Sequence, residues 1–234
     1  MIVAAAICPS PPLLAAELTG QADILPELRA ACTAAVARLL AADPDVVAVA
    51  GPAELTEIWD PAGQLSLASF APALGAGDHA RPPLAVPSLP LALGVGVLLL
   101  DDAGYPAPRI LYGIAEQEPV ADCLALGREI AASAPRVALL AVGDGTARRS
   151  VSAPGYLDER AEPFDEAVER AVRDGDLPAI AALDPALAAD LMAAGRPAWQ
   201  VLAGALPASR PQTEIFYSDA PFGVAYLVAT LIPR

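Results

Sequence analysis

Three turns in this sequence carry side chains whose types and spacing could do chemistry. The first is Cys8-Pro9-Ser10-Pro11-Pro12, the second Gly51-Pro52-Ala53-Glu54, and the third Gly143-Asp144-Gly145-Thr146-Ala147-Arg148-Arg149. A serine nucleophile at Ser10 needs a general base beside it. The chain holds one histidine, His79, in the segment Gly75-Ala76-Gly77-Asp78-His79, so the base would have to be Glu54 or Asp144. A carboxylate fills that role near neutrality only when burial raises its pKa. The third turn suits another task. Its glycines can expose backbone N–H groups as an anion-binding concavity, with Arg148 or Arg149 offering a guanidinium fork to carboxylate or phosphate. The competing reading is a tight turn whose arginines pair with the chain's own acids. The turn lacks the Lys and Ser/Thr spacing of a phosphate-binding loop, which disfavours nucleotide hydrolysis.

Composition narrows the classes further. A single histidine rules out a multi-histidine metal site made by this chain alone and leaves only a labile divalent ion on His79 and carboxylates. With 14 basic and 28 acidic residues the formal charge is −14, the wrong sign for nucleic acid or an anionic membrane surface. At 55% hydrophobic the chain can bury a core, which excludes disorder for its bulk. Cys8, Cys32 and Cys123 are odd in number and widely spaced, so they read as buried small hydrophobes in a reducing, cytoplasmic setting. The apolar N-terminus lacks a preceding basic stretch and reads as a strand rather than a signal peptide. The longest apolar run, residues 89–100, is shorter than the roughly 20 residues a membrane span requires.

The elements that must hold these turns alternate in the manner of an α/β domain. Continuous apolar strands are expected at 1–7, 46–50 and 137–142, the type buried on both faces of a parallel sheet. Further strands are expected at 109–114, 213–217 and 224–231. Helical periodicity covers 23–42, where Leu25, Leu28, Cys32, Val36, Leu39 and Leu40 share a face. Other helices are expected at 90–102, closed by Gly104, and at 119–133, 163–173, 178–183, 185–193 and 197–206, several with proline in the first turn. Residues 53–90 read as a Pro/Gly/Ala-rich excursion with a short strand at 65–70 and a loop carrying His79. Trp199 and Tyr226 read as core residues, and the acids near Asp158 and Glu162 as a helix entry. No repeat or charge-segregated linker divides the chain, which predicts one domain over residues 1–234. The whole predicts a three-layer α/β fold with a doubly wound, mostly parallel sheet.

Four local motifs in this order resemble the LigB-like superfamily, the subunit-B fold of class III extradiol ring-cleavage dioxygenases that also includes the MEMO-like proteins. They are Cys8-Pro9-Ser10-Pro11-Pro12-Leu13-Leu14, Gly143 to Arg149, Ala194-Gly195-Arg196-Pro197, and Phe222-Gly223-Val224-Ala225-Tyr226. The resemblance implies a strand-end site where two histidines and a carboxylate hold Fe(II) and another histidine moves protons. Here the first ligand position is Ser10, the second falls at Ala53 and Glu54, the acid/base position falls near Ala147, and Ala194 stands where MEMO-like relatives carry cysteine. Neither serine nor alanine replaces an imidazole on iron, so the resemblance implies the fold without the Fe(II) cofactor.

Ligands of doubly wound sheets sit beyond the carboxyl ends of the strands, where the three turns would bring Ser10, Glu54, Asp144, Thr146, Arg148 and Arg149 together. The leading expectation is an iron-free former active-site cleft for a small anionic ligand. Two alternatives stand beside it. One is an interaction or scaffold protein with a filled site, working as a homodimer or with another protein. The other is a dioxygenase-type oxidoreductase with unusual ligands or with a partner subunit completing the site.

Overall fold

The structure, a computed structural model, describes residues 1–15, 18, 24–65 and 87–234. In chain order its elements are β1 (Ile2–Cys8), a 3-10 turn (Pro12–Leu14), α1 (Pro26–Leu40), β2 (Val46–Ala53), β3 (Glu57–Trp59), β4 (Gln64–Leu65) and β5 (Ser88–Leu89). There follow α2 (Leu91–Asp102), β6 (Arg109–Ala115), α3 (Val120–Ala132), β7 (Val137–Val142), α4 (Ala161–Arg173), α5 (Leu177–Ala181), α6 (Pro185–Asp190), α7 (Arg196–Ala205), β8 (Gln212–Asp219) and β9 (Tyr226–Ile232). The expected strand at 65–70 has only its first residue among the described ones, in β4, and the His79 loop lies outside them.

Seven strands form one sheet in the order β3-β6-β2-β7-β1-β9-β8. The four central strands run parallel, whereas β3 on β6, β9 on β1 and β8 on β9 are antiparallel, so the sheet is mixed and only partly parallel. Short connections impose this, because a parallel return needs a crossover of a dozen or more residues. Residues 54–56 cross the end of β6 and turn straight back as β3, with Thr56 Oγ1 accepting the Ala115 N–H at 2.9 Å.

Side chains alternate between two apolar layers with the period of two that a pleated strand dictates. Ala5, Ile7, Ala48, Ala50, Leu139 and Ala141 face one layer, which includes residues of α3 to α7; Ala4, Ala6, Val47, Val49, Leu140 and Val142 face the other, with α1 and α2. Where α3 crosses α7, a Cβ at Gly127 would run into the Val201 carbonyl, and one at Gly204 into Leu124. The two helices meet backbone to backbone there.

Several boundaries moved for local reasons. Strand β2 continues through Gly51, Pro52 and Ala53 because, past Ala50, it pairs among the described residues with β6 alone, so the missing N–H of Pro52 does not break a central ladder. Helix α6 stops at Asp190, short of 193, and Met192 then adopts a left-handed conformation at φ 57. Gly104 sits at φ 67 just past α2, as a helix-closing glycine should. The last strand begins at Tyr226, so Phe222 lies in the turn before it and is exposed. No described helix is long and apolar enough to cross a membrane.

Candidate functional site

Strands β1, β2, β6 and β7 are parallel and end on the same side of the sheet, where their exits frame a cleft of about 840 Å³. Ser10 leaves β1, Pro52 and Glu54 leave β2, Glu116 leaves β6, and Asp144 leaves β7. The far wall comes from Trp59 of β3 and from the segment entering α2, including Leu89 and Leu91. Chains diverging from the ends of parallel strands leave such a hollow by construction.

The floor is the junction of the first and third turns. Asp144 Oδ1 accepts the backbone N–H of Ser10 at 2.6 Å, and the Ser10 hydroxyl stands farther off at 3.4 Å. The carboxylate therefore fixes the path of the chain leaving β1 rather than aligning with Ser10 Oγ as a base aligns with a nucleophile. Among the described residues Oδ2 takes no hydrogen bond, yet it is not a sealed orphan: the half-buried Asp144 opens it to the cleft. Loss of water pushes the Asp144 carboxyl up to about 6, against the opposing pull of the Ser10 hydrogen bonds.

A close crossing holds Asp144 in place. A Cβ on Gly143 would lie 2.6 Å from Gly195 Cα, and one on Gly195 would lie 2.6 Å from the Trp199 ring carbon Cε2 and 2.9 Å from the Asp144 carbonyl oxygen. The Gly195 N–H donates to that carbonyl at 2.8 Å, so the exit of β7 is tied to the start of α7. Trp199 beneath it is 1% exposed, a core residue as expected. Arg196, equally buried, donates to the Glu118 carbonyl at 2.8 Å and to Gln200 Oε1 at 2.9 Å, and also to the Glu116 carbonyl. It thereby sets the loop that carries Glu116 to the cleft.

The rest of the third turn goes elsewhere. The N–H groups of Gly143, Gly145, Ala147 and Arg149 donate to the carbonyls of Cys8, Ala225, Leu191 and Gly223, and that of Thr146 donates to Asp165 Oδ1. These five amides are consumed by the fold, and the expected anion-binding concavity does not form from them. Thr146, fully buried, also donates its hydroxyl to Asp165 Oδ2 at 2.6 Å. Arg149 pairs with Asp165 at 3.3 Å and Glu162 at 2.7 Å, facing a separate cavity of about 190 Å³ beside α4. Burial raises the Asp165 carboxyl, and its bonds to Thr146 and Arg149 draw it back. Arg148 packs against Gly155, whose Cβ would meet Arg148 Cγ at 2.7 Å, and its Nε is buried without a partner among the described residues. Of the six residues expected at the site, the cleft thus unites Ser10, Glu54 and Asp144, while Thr146, Arg148 and Arg149 serve the turn itself.

The iron set implied by the resemblance does not fit these donors. Ser10 is engaged with Asp144, Ala53 and Ala194 offer no ligating atom, and Ala147 is buried outside the cleft. Among the described residues no group of three His, Cys, Asp or Glu side chains is arranged to hold a metal ion.

Sequence reasoning overlooked Trp59 and Glu116. The signal for Glu116 was present, since the expected strand at 109–114 must end on the same side as its parallel neighbours. Trp59 lies in a three-residue strand too short to show a period. The cleft also shares Glu116, Gln117 and Ala194 with an adjoining recess of about 350 Å³ that reaches Met192 and Arg196.

The fold is similar to that of the uncharacterized protein JW3007 from Escherichia coli K12, with a TM-score of 0.55 at 15% sequence identity over 98% of this chain and 99% of that one. At that identity the likeness concerns the fold alone. No protein-family model matches the chain, and no curated protein matches it in sequence.

Proposed function

We propose that this chain is a LigB-like α/β protein that uses the strand-end cleft, without a non-haem iron centre, to bind a small organic molecule. The observation that carries this reading is the open cleft of about 840 Å³ floored by the Ser10–Asp144 contact, with serine and alanine where iron ligands would stand. A chain that had abandoned small-molecule binding for a scaffolding role would be free to fill that hollow with side chains. With Arg148 and Arg149 outside the cleft, the expectation of an anionic ligand loses the side chains that supported it.

A second reading has its own observation. Val151, Tyr156, Leu157, Met192 and Phe222 are large apolar residues left exposed, and Tyr156 and Met192 are also held at positive φ. A Cβ at Gly155 would meet the Met192 sulfur, so Met192 lies beside the segment that leads into Tyr156 and Leu157; adjoining exposed apolar groups are a usual mark of partner surfaces, which supports a homodimer or another protein partner.

Two measurements on the purified protein test the first reading. Elemental analysis after incubation with Fe(II) and desalting should find no stoichiometric iron. A fragment library followed by amide chemical shifts should perturb Ser10, Asp144 and Trp59. Stoichiometric iron lost on Ser10→Ala or Glu54→Gln would overturn it and restore the dioxygenase-type alternative, as would ring-opening of a catechol by the iron-loaded protein.

A further inference from the structure

The charge of the cleft identifies the class of ligand it can hold. Its described lining contains three carboxylates, Glu54, Glu116 and Asp144, and no arginine, although arginine supplies all 14 basic residues of the chain. Glu54 and Glu116 are exposed at the mouth, and Asp144 lies half-buried at the floor. An anion entering here would meet like charge at the rim and an acceptor at the floor. A cation would meet attraction from each of these described groups, strengthened where low-dielectric walls reduce screening by water.

The floor and the walls define that cation further. Ser10 occupies only Oδ1 of Asp144, which leaves Oδ2 able to accept a charge-assisted hydrogen bond of the kind an ammonium N–H makes. Pro52, Trp59, Leu89, Leu91 and Ala92 line the same cleft with apolar surface, suited to a hydrocarbon or aromatic body. The indole of Trp59 lies across Gly113 of β6, where a Cβ would come within 2.9 Å of its Cδ1 atom, so a larger residue at 113 would displace this wall.

We infer that the cleft is a primary-amine site: Asp144 Oδ2 receives the ammonium of a small molecule whose apolar body lies against Trp59, Leu89 and Leu91, while Glu54 and Glu116 exclude anions at the mouth. This rests on the reading of the cleft as a binding site, and the two can fail separately. The test compares three probes of one shape, benzylamine, benzyl alcohol and benzoate, at constant ionic strength on the full chain. The readouts are tryptophan fluorescence, which reports the cleft through Trp59 while Trp199 stays buried in the core, and amide shifts at Ser10 and Asp144.

Benzylamine should bind about tenfold or more tightly than benzyl alcohol, as one charge-assisted contact allows, and benzoate should bind most weakly. Asp144→Asn should erase the preference for the amine over the alcohol, and its own unfolding curve will show that the variant is folded. Glu54→Gln with Glu116→Gln should relax the exclusion of benzoate. Equal binding of the three, or preference for benzoate, overturns the amine assignment and leaves the binding cleft standing. Absence of any perturbation at Ser10, Asp144 and Trp59 by all three probes overturns both.

Discussion

Asp144→Asn should stabilise this protein at neutral and alkaline pH and do nothing in acid. The carboxyl titrates near 3.8 when solvated and is raised to about 6 in the folded chain, chiefly by desolvation. The native state therefore holds its proton more tightly than the unfolded state does. Below the unfolded value both states are protonated and the group contributes nothing to the pH dependence. As pH rises toward the folded value the unfolded chain gives up its proton first, and native stability falls by about 1.4 kcal/mol per pH unit. Past the folded value the loss levels off at about 3 kcal/mol, an upper figure because the side chain keeps some access to water. Asparagine retains an Oδ1 to accept the Ser10 N–H and removes the charge. In urea unfolding at a series of pH values, the variant should exceed the wild type by up to about 3 kcal/mol near pH 8, the advantage vanishing below about pH 3. Taking the difference between two proteins that share every other titrating group isolates Asp144. A stability difference of the same size at both ends of the series would refute the desolvation argument, and so would a variant that is less stable throughout.

Asp165→Ala should cost about 2–4 kcal/mol, because it leaves the N–H and hydroxyl of the buried Thr146 without their acceptor. A fall in the urea midpoint at unchanged slope would show it, with Asp165→Asn losing less because it keeps an acceptor. The three thiols should resist aromatic disulfide reagents until the chain unfolds, then all react. Cys8, Cys32 and Cys123 are fully buried, the Cys32 contact and burial raise Cys8, and burial pushes Cys123 to about 11. Prompt labelling of any of them in the native protein would contradict this packing.

Much of the architecture was legible because it depends on short-range pattern. Residues 137–142 read as a buried strand and form one, since six consecutive apolar residues have nowhere else to go than between two layers. The helices at 90–102 and 119–133 were placed to within a residue or two by their flanking prolines and Gly104. The edges were less legible. Strand β3 is three residues long and exists because β6 offers an unpaired edge, a fact no local window contains.

For the site, the sequence by itself determined which groups were available: one histidine, no imidazole at the positions the resemblance marks, and acids and a serine at the turns. It also predicted that Ser10, Glu54, Asp144, Thr146, Arg148 and Arg149 would come together, because parallel strands must end on one side, and the first three line one cleft. Only the tertiary structure decided the fate of Thr146, Arg148 and Arg149. Their direction depends on what lies beside the turn after β7: Asp165 of α4 takes up Thr146 and Arg149, the carbonyls of Leu191, Gly223 and Ala225 take up the amides of Ala147, Arg149 and Gly145, and Arg148 packs against Gly155 with its Nε unpartnered among the described residues. A buried polar group must find a partner wherever the fold supplies one. The motif could offer its arginines and amides to a ligand only if the surrounding chain left them free, and that is a property of packing across 19 to 80 residues of sequence rather than of the motif.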